Sequence, residues 1–164
     1  MDLNRIADQH YDWVERMGWH NKNPLETLAL IGSEVGESVD ECLGKYPTDK
    51  FGMELADIVL RVVDFAKVQS LDLISLMALA KQKEGHSLFA GTSPLEVLAF
   101  MSSDLAKAVN TCRGAAPTEE LGSHLANVLV RVQHLAAWQG VNLELEIDDK
   151  LALNEKRGTR GRRI

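Results

Sequence analysis

Four carboxylates stand in two matching pairs within the first 57 residues of the chain. Glu34 and Glu37 are three residues apart, and Glu54 and Asp57 repeat the same spacing. Residues three apart on a helix lie on one face, so each pair presents two carboxylates side by side. If neighbouring antiparallel helices carry the two pairs, all four groups meet in a small volume and repel one another unless a cation lies between them.

Three readings of this quartet are open from its spacing alone. Oxygen ligands are those preferred by Mg²⁺ and Mn²⁺, which makes a hard divalent cation the first reading. Zinc and a ferritin-like di-iron site fit less well, because no His or Cys stands at ligand spacing beside these acids. A solvated acidic helix face and a set of general acid/base carboxylates are the two alternatives to a metal site.

The elements that position the quartet are predicted to be helices. Apolar residues recur at helical spacing over 3–17, which predicts the first helix. Asn23 is a candidate N-cap and Pro24 suits the first helical position. The helix that they begin is predicted to run to about Leu43, with Gly44 as its stop. Two further helices are predicted over about 49–69 and 72–84, and a Gly- and Ser-containing linker follows over 85–93.

The sequence contains an internal duplication. Residues 24–74 align with 94–144 without a gap, and 19 of the 51 aligned residues are identical. The matches include Pro, Gly, Cys and Arg as well as apolar residues, so shared helical periodicity does not explain them. Repeat 1 covers about 20–84, repeat 2 about 94–157, and a basic tail 158–164. Because each copy is too small to bury its own apolar faces, we expect an all-α helical bundle in which the two repeats pack as a pseudo-dimer.

The second copy has lost the acidic quartet. The residues at its four equivalent positions are Asp104, Lys107, His124 and Asn127. Three of the four changes remove a negative charge, while Leu55, Ala56 and Arg61 recur unchanged. We therefore interpret the first copy as functional and the second as structural at this feature.

Composition excludes several classes of protein. Hydrophobic residues make up 45% and charged residues 26% of the chain, as in ordinary globular proteins. The net charge of −6 argues against nucleic-acid binding. No apolar run approaches the roughly 20 residues that span a bilayer. Two cysteines far apart in sequence predict no disulfide framework and favour the reducing cytoplasm.

The phrase "EVGESVDE" followed by "ELADIVLRVVDFA" resembles the MazG-type all-α nucleoside triphosphate pyrophosphohydrolases. Their signature is Glu-x-x-Glu, a spacer and Glu-x-x-Asp, and the resemblance covers about residues 12–84, with later elements at 140–164. It implies that the quartet binds Mg²⁺, with Mn²⁺ as a substitute, and carries catalysis. The implied reaction converts a (deoxy)nucleoside triphosphate to the monophosphate and pyrophosphate, by attack of a metal-activated water at the α-phosphate.

The family pattern continues with Lys-x-x-x-Asn-x-x-Arg, and here the two copies differ. The first copy carries Ala80, Glu84 and Ser87 at these places. The second copy carries the full pattern, as Lys150, Asn154 and Arg157. The resemblance therefore implies one composite site, with metal ligands from the first copy and phosphate-binding residues from the second. The alternative is that Lys150 and Arg157 only suit the C-terminal end of a helix.

The resemblance also places the nucleobase at the N-terminal region, where Trp13, Trp19 and Asn21 are the candidate base-binding residues. Trp13 could instead belong to the core stripe of the first helix. Arg61 recurs as Arg131, which favours a structural role for both. Two functional alternatives stay open: a metal-stabilised nucleotide-binding or regulatory protein with little catalysis, and the same chemistry on phosphoribosyl-ATP or an alarmone. Since relatives work as dimers or tetramers, we expect a homo-oligomer, such as a dimer of pseudo-dimers.

Overall fold

In a computed structural model, the structure describes residues 1–19, 23–84, 91–113 and 118–157. The predicted base-binding Asn21, most of the predicted linker and the basic tail lie outside these ranges. Seven α-helices make up 81% of the described residues, which contain no strand. The helices are α1 (Leu3–Met17), α2 (Pro24–Asp40), α3 (Phe51–Val68), α4 (Leu73–Glu84), α5 (Pro94–Cys112), α6 (Glu119–Gln139) and α7 (Leu143–Arg157). None of these helices has both the length and the apolar character needed to cross a membrane.

The helix starts follow the capping residues of the sequence. The Asn23 side chain accepts a hydrogen bond of 3.1 Å from the backbone N–H of Leu25, which confirms it as the cap of α2. Ser93 caps α5 in the same way through the N–H of Glu96, at 3.2 Å. These caps bind N–H groups that have no partner inside the helix. The first helix has the predicted bounds.

The end of α2 differs from its prediction. The helix stops at Asp40 rather than about Leu43, and Gly44 is not its C-cap. The apolar pattern continues past Asp40, but the chain turns because Thr48 closes the connection onto Glu41. The Thr48 N–H donates to the Glu41 carbonyl at 3.0 Å, and its hydroxyl donates to the Glu41 carboxylate. Helix α3 then begins at Phe51, two residues later than predicted.

The helices pack across the two halves of the chain as well as within them. Helix α2 packs on α3, and α5 packs on α6. Helices α2 and α5 also contact each other, as do α3 and α6. The last helix of each half lies on the central helix of the other half, since α4 packs on α6 and α7 packs on α3. Within the described residues, one cluster of buried apolar side chains connects both halves, with Leu55, Ile58, Leu125 and Val128 fully buried in α3 and α6.

The two cysteines, Cys42 and Cys112, are free and buried. Burial raises the pKa of the Cys42 thiol to about 11, so this thiol stays protonated at neutral pH. Cys42 therefore behaves as a small apolar side chain of the core.

Candidate functional site

Helices α2 and α3 bring three of the four predicted carboxylates together. Glu34, Glu54 and Asp57 each place one carboxylate oxygen within 4.8 Å of the others. Glu34 lies on the buried side of α2, while Glu54 and Asp57 are one turn apart on α3, which packs against α2. We call these three residues the acidic triad. The fourth carboxylate, Glu37, is exposed one turn along α2 and lies outside the triad.

Two members of the triad are bonded to cationic side chains. The Arg61 guanidinium donates from Nε to Oε1 of Glu34 at 3.0 Å. The Lys150 ammonium donates to Oδ2 of Asp57, so α7 of the second copy reaches the metal-ligand candidates of the first. Lys150 is only 9% exposed. A buried ammonium requires an anionic partner, and Asp57 supplies it.

Glu54 makes no ion pair with a cationic side chain of the described residues. Its Oε2 atom is buried and accepts no hydrogen bond from any residue that the structure describes. Burial raises the pKa of Glu54 above its ordinary value, and the negative charge of Asp57 adds to the shift. Burial also raises the pKa of Asp57, against the opposing effect of its bond with Lys150. Negative charge is therefore held here at a cost in free energy.

The triad fits a hard divalent cation. Its donors are carboxylate oxygens, which Mg²⁺ and Mn²⁺ prefer. The Oε2 atom of Glu54 offers a lone pair, and a bound positive charge would offset the burial and the repulsion that raise the pKa values of Glu54 and Asp57. A carboxylate has two oxygens, so Glu34 can hold Arg61 with one and a cation with the other. The residues that would hold the cation are Glu34, Glu54 and Asp57, with Glu37 nearby on α2.

A cavity of about 400 Å³ opens beside the triad. Three helical regions line it: the aromatic side of α1, the carboxylate face of α2 and α3, and the cationic face of α7. Its charged and aromatic lining residues are His10, Trp13, Trp19, Glu34, Glu37, Asp57, Arg61, Asp64, Lys150 and Arg157. Thr27, Leu30, Ser33 and Asn154 also line it. The cavity therefore combines side chains from both copies of the repeat and from α1.

The predicted phosphate-binding residues all line this cavity but differ in exposure. Lys150 is buried, Asn154 is half-buried and Arg157 is exposed near the end of α7. Their spacing of four and then three residues puts them on one face of α7. Ion pairs hold α7 against α1, through Arg5 with Asp148 at 3.0 Å and through Arg16 with Glu155.

Trp13 fits both interpretations made from the sequence, as a core residue and as a base-binding residue. Trp13 is 7% exposed and belongs to the buried side of α1, yet it also lines the cavity. Its ring stacks on His10 at 5.6 Å between centroids and meets Trp19 edge-on at 5.1 Å. The indole Nε1 of Trp13 donates to no residue within the described part of the chain. Trp13 and Trp19 thus form one aromatic wall.

Eight lining residues were not predicted as site residues, among them His10, Leu30 and Arg61. His10 lies three residues before Trp13 and so shares its helix face. The position of Leu30 is Phe100 in the second copy, and comparing the copies at cavity positions would have singled it out. Arg61 was interpreted as structural because it recurs, and its place in the cavity follows only from how α3 packs.

The equivalent positions of the second copy are organised differently. Arg131 donates from Nε to Asp104 at 3.2 Å, and Lys107 pairs with the same carboxylate at 3.8 Å. The pair equivalent to Asp57 and Lys150 consists of Asn127 and Ala80, so both charges are missing together. Among the described residues, the triad of the first copy is the one cluster suited to a metal.

Comparisons with protein-family models, with curated proteins and with solved structures gave no match for this chain.

Proposed function

We propose that this protein is a Mg²⁺-dependent nucleoside triphosphate pyrophosphohydrolase of the MazG type. It would convert a (deoxy)nucleoside triphosphate to the monophosphate and pyrophosphate. The observation that carries the proposal is the composition of one cavity: carboxylates from α2 and α3, cations from α7 and aromatic rings from α1 and the segment just after it all line it. A metal site, a polyanion site and a stacking surface in one cavity suit a nucleotide.

The cationic face of α7 would hold the phosphate chain. Lys150 and Arg157 supply positive charge, and the amide of Asn154 between them supplies a neutral donor. An exposed Arg157 can reach a ligand without leaving a buried partner unsatisfied. The Lys150 ammonium is bound to Asp57. A cation on the triad would compete with Lys150 for Asp57, so the ammonium would become available to a phosphate oxygen.

The acidic face would support the hydrolysis. Bound Mg²⁺ would supply charge neutralisation at the phosphates and lower the pKa of a bound water. In the net reaction, water oxygen bonds to the α-phosphorus and the bond from that phosphorus to the α,β-bridging oxygen breaks. Pyrophosphate leaves, and the two water protons pass to the products or to solvent. Glu34, Glu54 and Asp57 would hold the cation, one carboxylate of the quartet would accept a proton, and catalysis would rest on positioning and electrostatics.

The aromatic wall would bind the base. Trp13 and Trp19 are pinned against each other, so a base that stacks on them would meet a preformed surface. The cavity volume of about 400 Å³ falls within the roughly 300–1,000 Å³ of small-molecule sites. Asn21 remains a proposed base contact.

We also infer that the two repeats pack as a pseudo-dimer. The pattern of burial is identical over 31–40 and 101–110, and again over 71–80 and 141–150. Close contacts recur in exchanged form, since Gly52 on α3 faces Glu146 on α7 while Gly122 on α6 faces Leu76 on α4. A shift of 70 residues converts one contact into the other, as a twofold relation between the copies requires. We further propose a cytoplasmic location and assembly into a homo-oligomer.

The direct test is pyrophosphate release. Purified protein is incubated with each NTP, each dNTP, phosphoribosyl-ATP and an alarmone, with Mg²⁺, with Mn²⁺ and with EDTA. We expect metal-dependent pyrophosphate and monophosphate from at least one nucleoside triphosphate, and loss of that activity in Glu54→Gln. Asp149→Asn is the control, because Asp149 is an exposed acid of α7 that belongs neither to the acidic triad nor to the cavity lining.

The remaining outcomes separate the alternatives. Turnover only with phosphoribosyl-ATP or the alarmone would keep the chemistry and replace the substrate. Nucleotide binding without turnover would favour the alternative of a nucleotide-binding or regulatory protein with little catalysis. Activity that survives in Glu54→Gln would contradict the assignment of the triad.

A further inference from the structure

The duplication provides two versions of one arginine. Arg61 on α3 and Arg131 on α6 occupy equivalent positions, and each donates from Nε to a carboxylate 27 residues earlier. The bond lengths are 3.0 Å to Glu34 and 3.2 Å to Asp104. The shared tether to the neighbouring helix is a structural role that both copies retain.

The surroundings of the two guanidinium groups differ sharply. The Arg131 side chain is 8% exposed, and its guanidinium carbon lies 5.0 Å from the centroid of the Phe100 ring. The Arg61 side chain is 39% exposed and lines the cavity beside the triad. At the position of Phe100 the first copy has Leu30, which lines the same cavity. A smaller residue therefore stands where an aromatic ring covers the second arginine.

The tether to Glu34 does not require this exposure. Nε alone makes the bond, and a guanidinium carries five N–H donors. No other hydrogen bond joins Arg61 to any residue within the described ranges. Arg61 stands one helical turn beyond Asp57 on α3, so its free donors lie next to the triad. A planar fork of donors matches the oxygens of a phosphate group.

We propose that Arg61 binds a phosphate oxygen of the triphosphate substrate, with Glu34 holding the guanidinium in position. The inference rests on the proposed function and adds a substrate contact from the first copy to those of α7. Glu34 thereby has two tasks, since one oxygen orients Arg61 and the other is available to the cation. In the second copy Phe100 covers the equivalent arginine, which keeps the structural tether to Asp104.

The matched variants are Arg61→Met and Arg131→Met, because each removes the same tether. Binding of magnesium-loaded, non-hydrolysable α,β-imido deoxynucleoside triphosphates is measured by titration calorimetry, and thermal unfolding is measured alongside. We expect Arg61→Met to weaken binding roughly 10- to 100-fold, as for loss of charge-assisted hydrogen bonds. Arg131→Met is expected to bind like the wild type while its Tm falls. Arg61→Lys, which keeps the charge without the fork, should lie between.

A second variant tests whether an aromatic side chain over Arg61 weakens ligand binding. Leu30→Phe places the aromatic residue of the second copy over Arg61 and leaves both Arg61 and Glu34 unchanged. We expect it to weaken analogue binding while its circular dichroism stays helical. Inorganic tripolyphosphate with Mg²⁺ serves as a base-free probe, and Arg61→Met should reduce its binding by a similar factor.

Equal analogue affinity in Arg61→Met and wild type would overturn the inference, as would equal losses in the Arg61 and Arg131 variants. A loss confined to the nucleotide analogue, with tripolyphosphate binding unchanged, would overturn the phosphate assignment. If wild-type protein bound no triphosphate analogue, the proposed function itself would fail, and that result is distinct from a failure of Arg61 alone.

Discussion

Glu54 is the residue at which the electrostatics of the site can be tested most directly. Glu34 is bonded to Arg61 and Asp57 to Lys150, whereas Glu54 makes no ion pair among the described residues. Its pKa is raised chiefly by burial. A side chain that costs stability in the metal-free protein and gains it with a cation is expected of a functional carboxylate.

The raised pKa of Glu54 predicts how the free energy of unfolding changes with pH. The folded protein binds the Glu54 proton more tightly than the unfolded chain does. This carboxyl therefore lowers the free energy of unfolding as pH rises above its ordinary pKa of about 4.3 and through its folded pKa. In EDTA at pH 7 we expect Glu54→Gln to have a higher Tm than wild type and a flatter decline of Tm from pH 4 to pH 7.

Added Mg²⁺ should raise the Tm of the wild type and raise that of Glu54→Gln much less, because a ligand stabilises only the state that binds it. Asp149→Asn, an exposed acid on α7, should behave like the wild type in both experiments. A metal-free Glu54→Gln protein that is less stable than wild type at pH 7 would contradict this view of the site.

At the scale of elements, α7 is the helix that joins the two copies into one site. It packs on α3, and Lys150 reaches Asp57 across that contact. The equivalent contact of α4 with α6 brings Ala80 and Asn127 to the matching places, without charge. One position pair therefore carries both charges and its equivalent carries neither. This is expected because either charge alone would be buried without a partner.

This coupling predicts a rescue. Lys150→Ala should destabilise the metal-free protein by on the order of 3 kcal/mol, because it leaves Asp57 buried and unpaired. Adding Asp57→Asn recreates the neutral pair of the second copy and should recover most of that loss. Urea unfolding in EDTA measures both. A double variant no more stable than Lys150→Ala would contradict the pairing, and both proteins are expected to lack pyrophosphohydrolase activity.

Sequence reasoning predicted some features of these elements and missed others for physical reasons. The start of α2 could be predicted because Asn23 acts on its own neighbours. The end of α2 at Asp40 could not, since it depends on Thr48 bonding back to Glu41. The carboxylates were recognisable from their spacing. The contact of Lys150 with Asp57 joins residues far apart in sequence, and only the register of α7 on α3 determines it.

In the whole molecule, the two copies of the repeat supply different parts of one cavity. The first copy supplies the acidic triad, and the second supplies the cationic face that lines the same cavity. Each copy retains the apolar scaffold that packs against the other. We expect one functional site per chain rather than two, because the second copy retains only one of the four carboxylates, Asp104, and covers its arginine with Phe100.

The reaction that we propose for this site is hydrolysis of a nucleoside triphosphate at the α-phosphorus. The most direct measurement is turnover of the best substrate with Mg²⁺ in ¹⁸O-labelled water, followed by mass spectrometry of the products. We expect one heavy oxygen in the nucleoside monophosphate and none in the pyrophosphate. Label in the pyrophosphate, release of orthophosphate with a nucleoside diphosphate, or no metal-dependent product would contradict it.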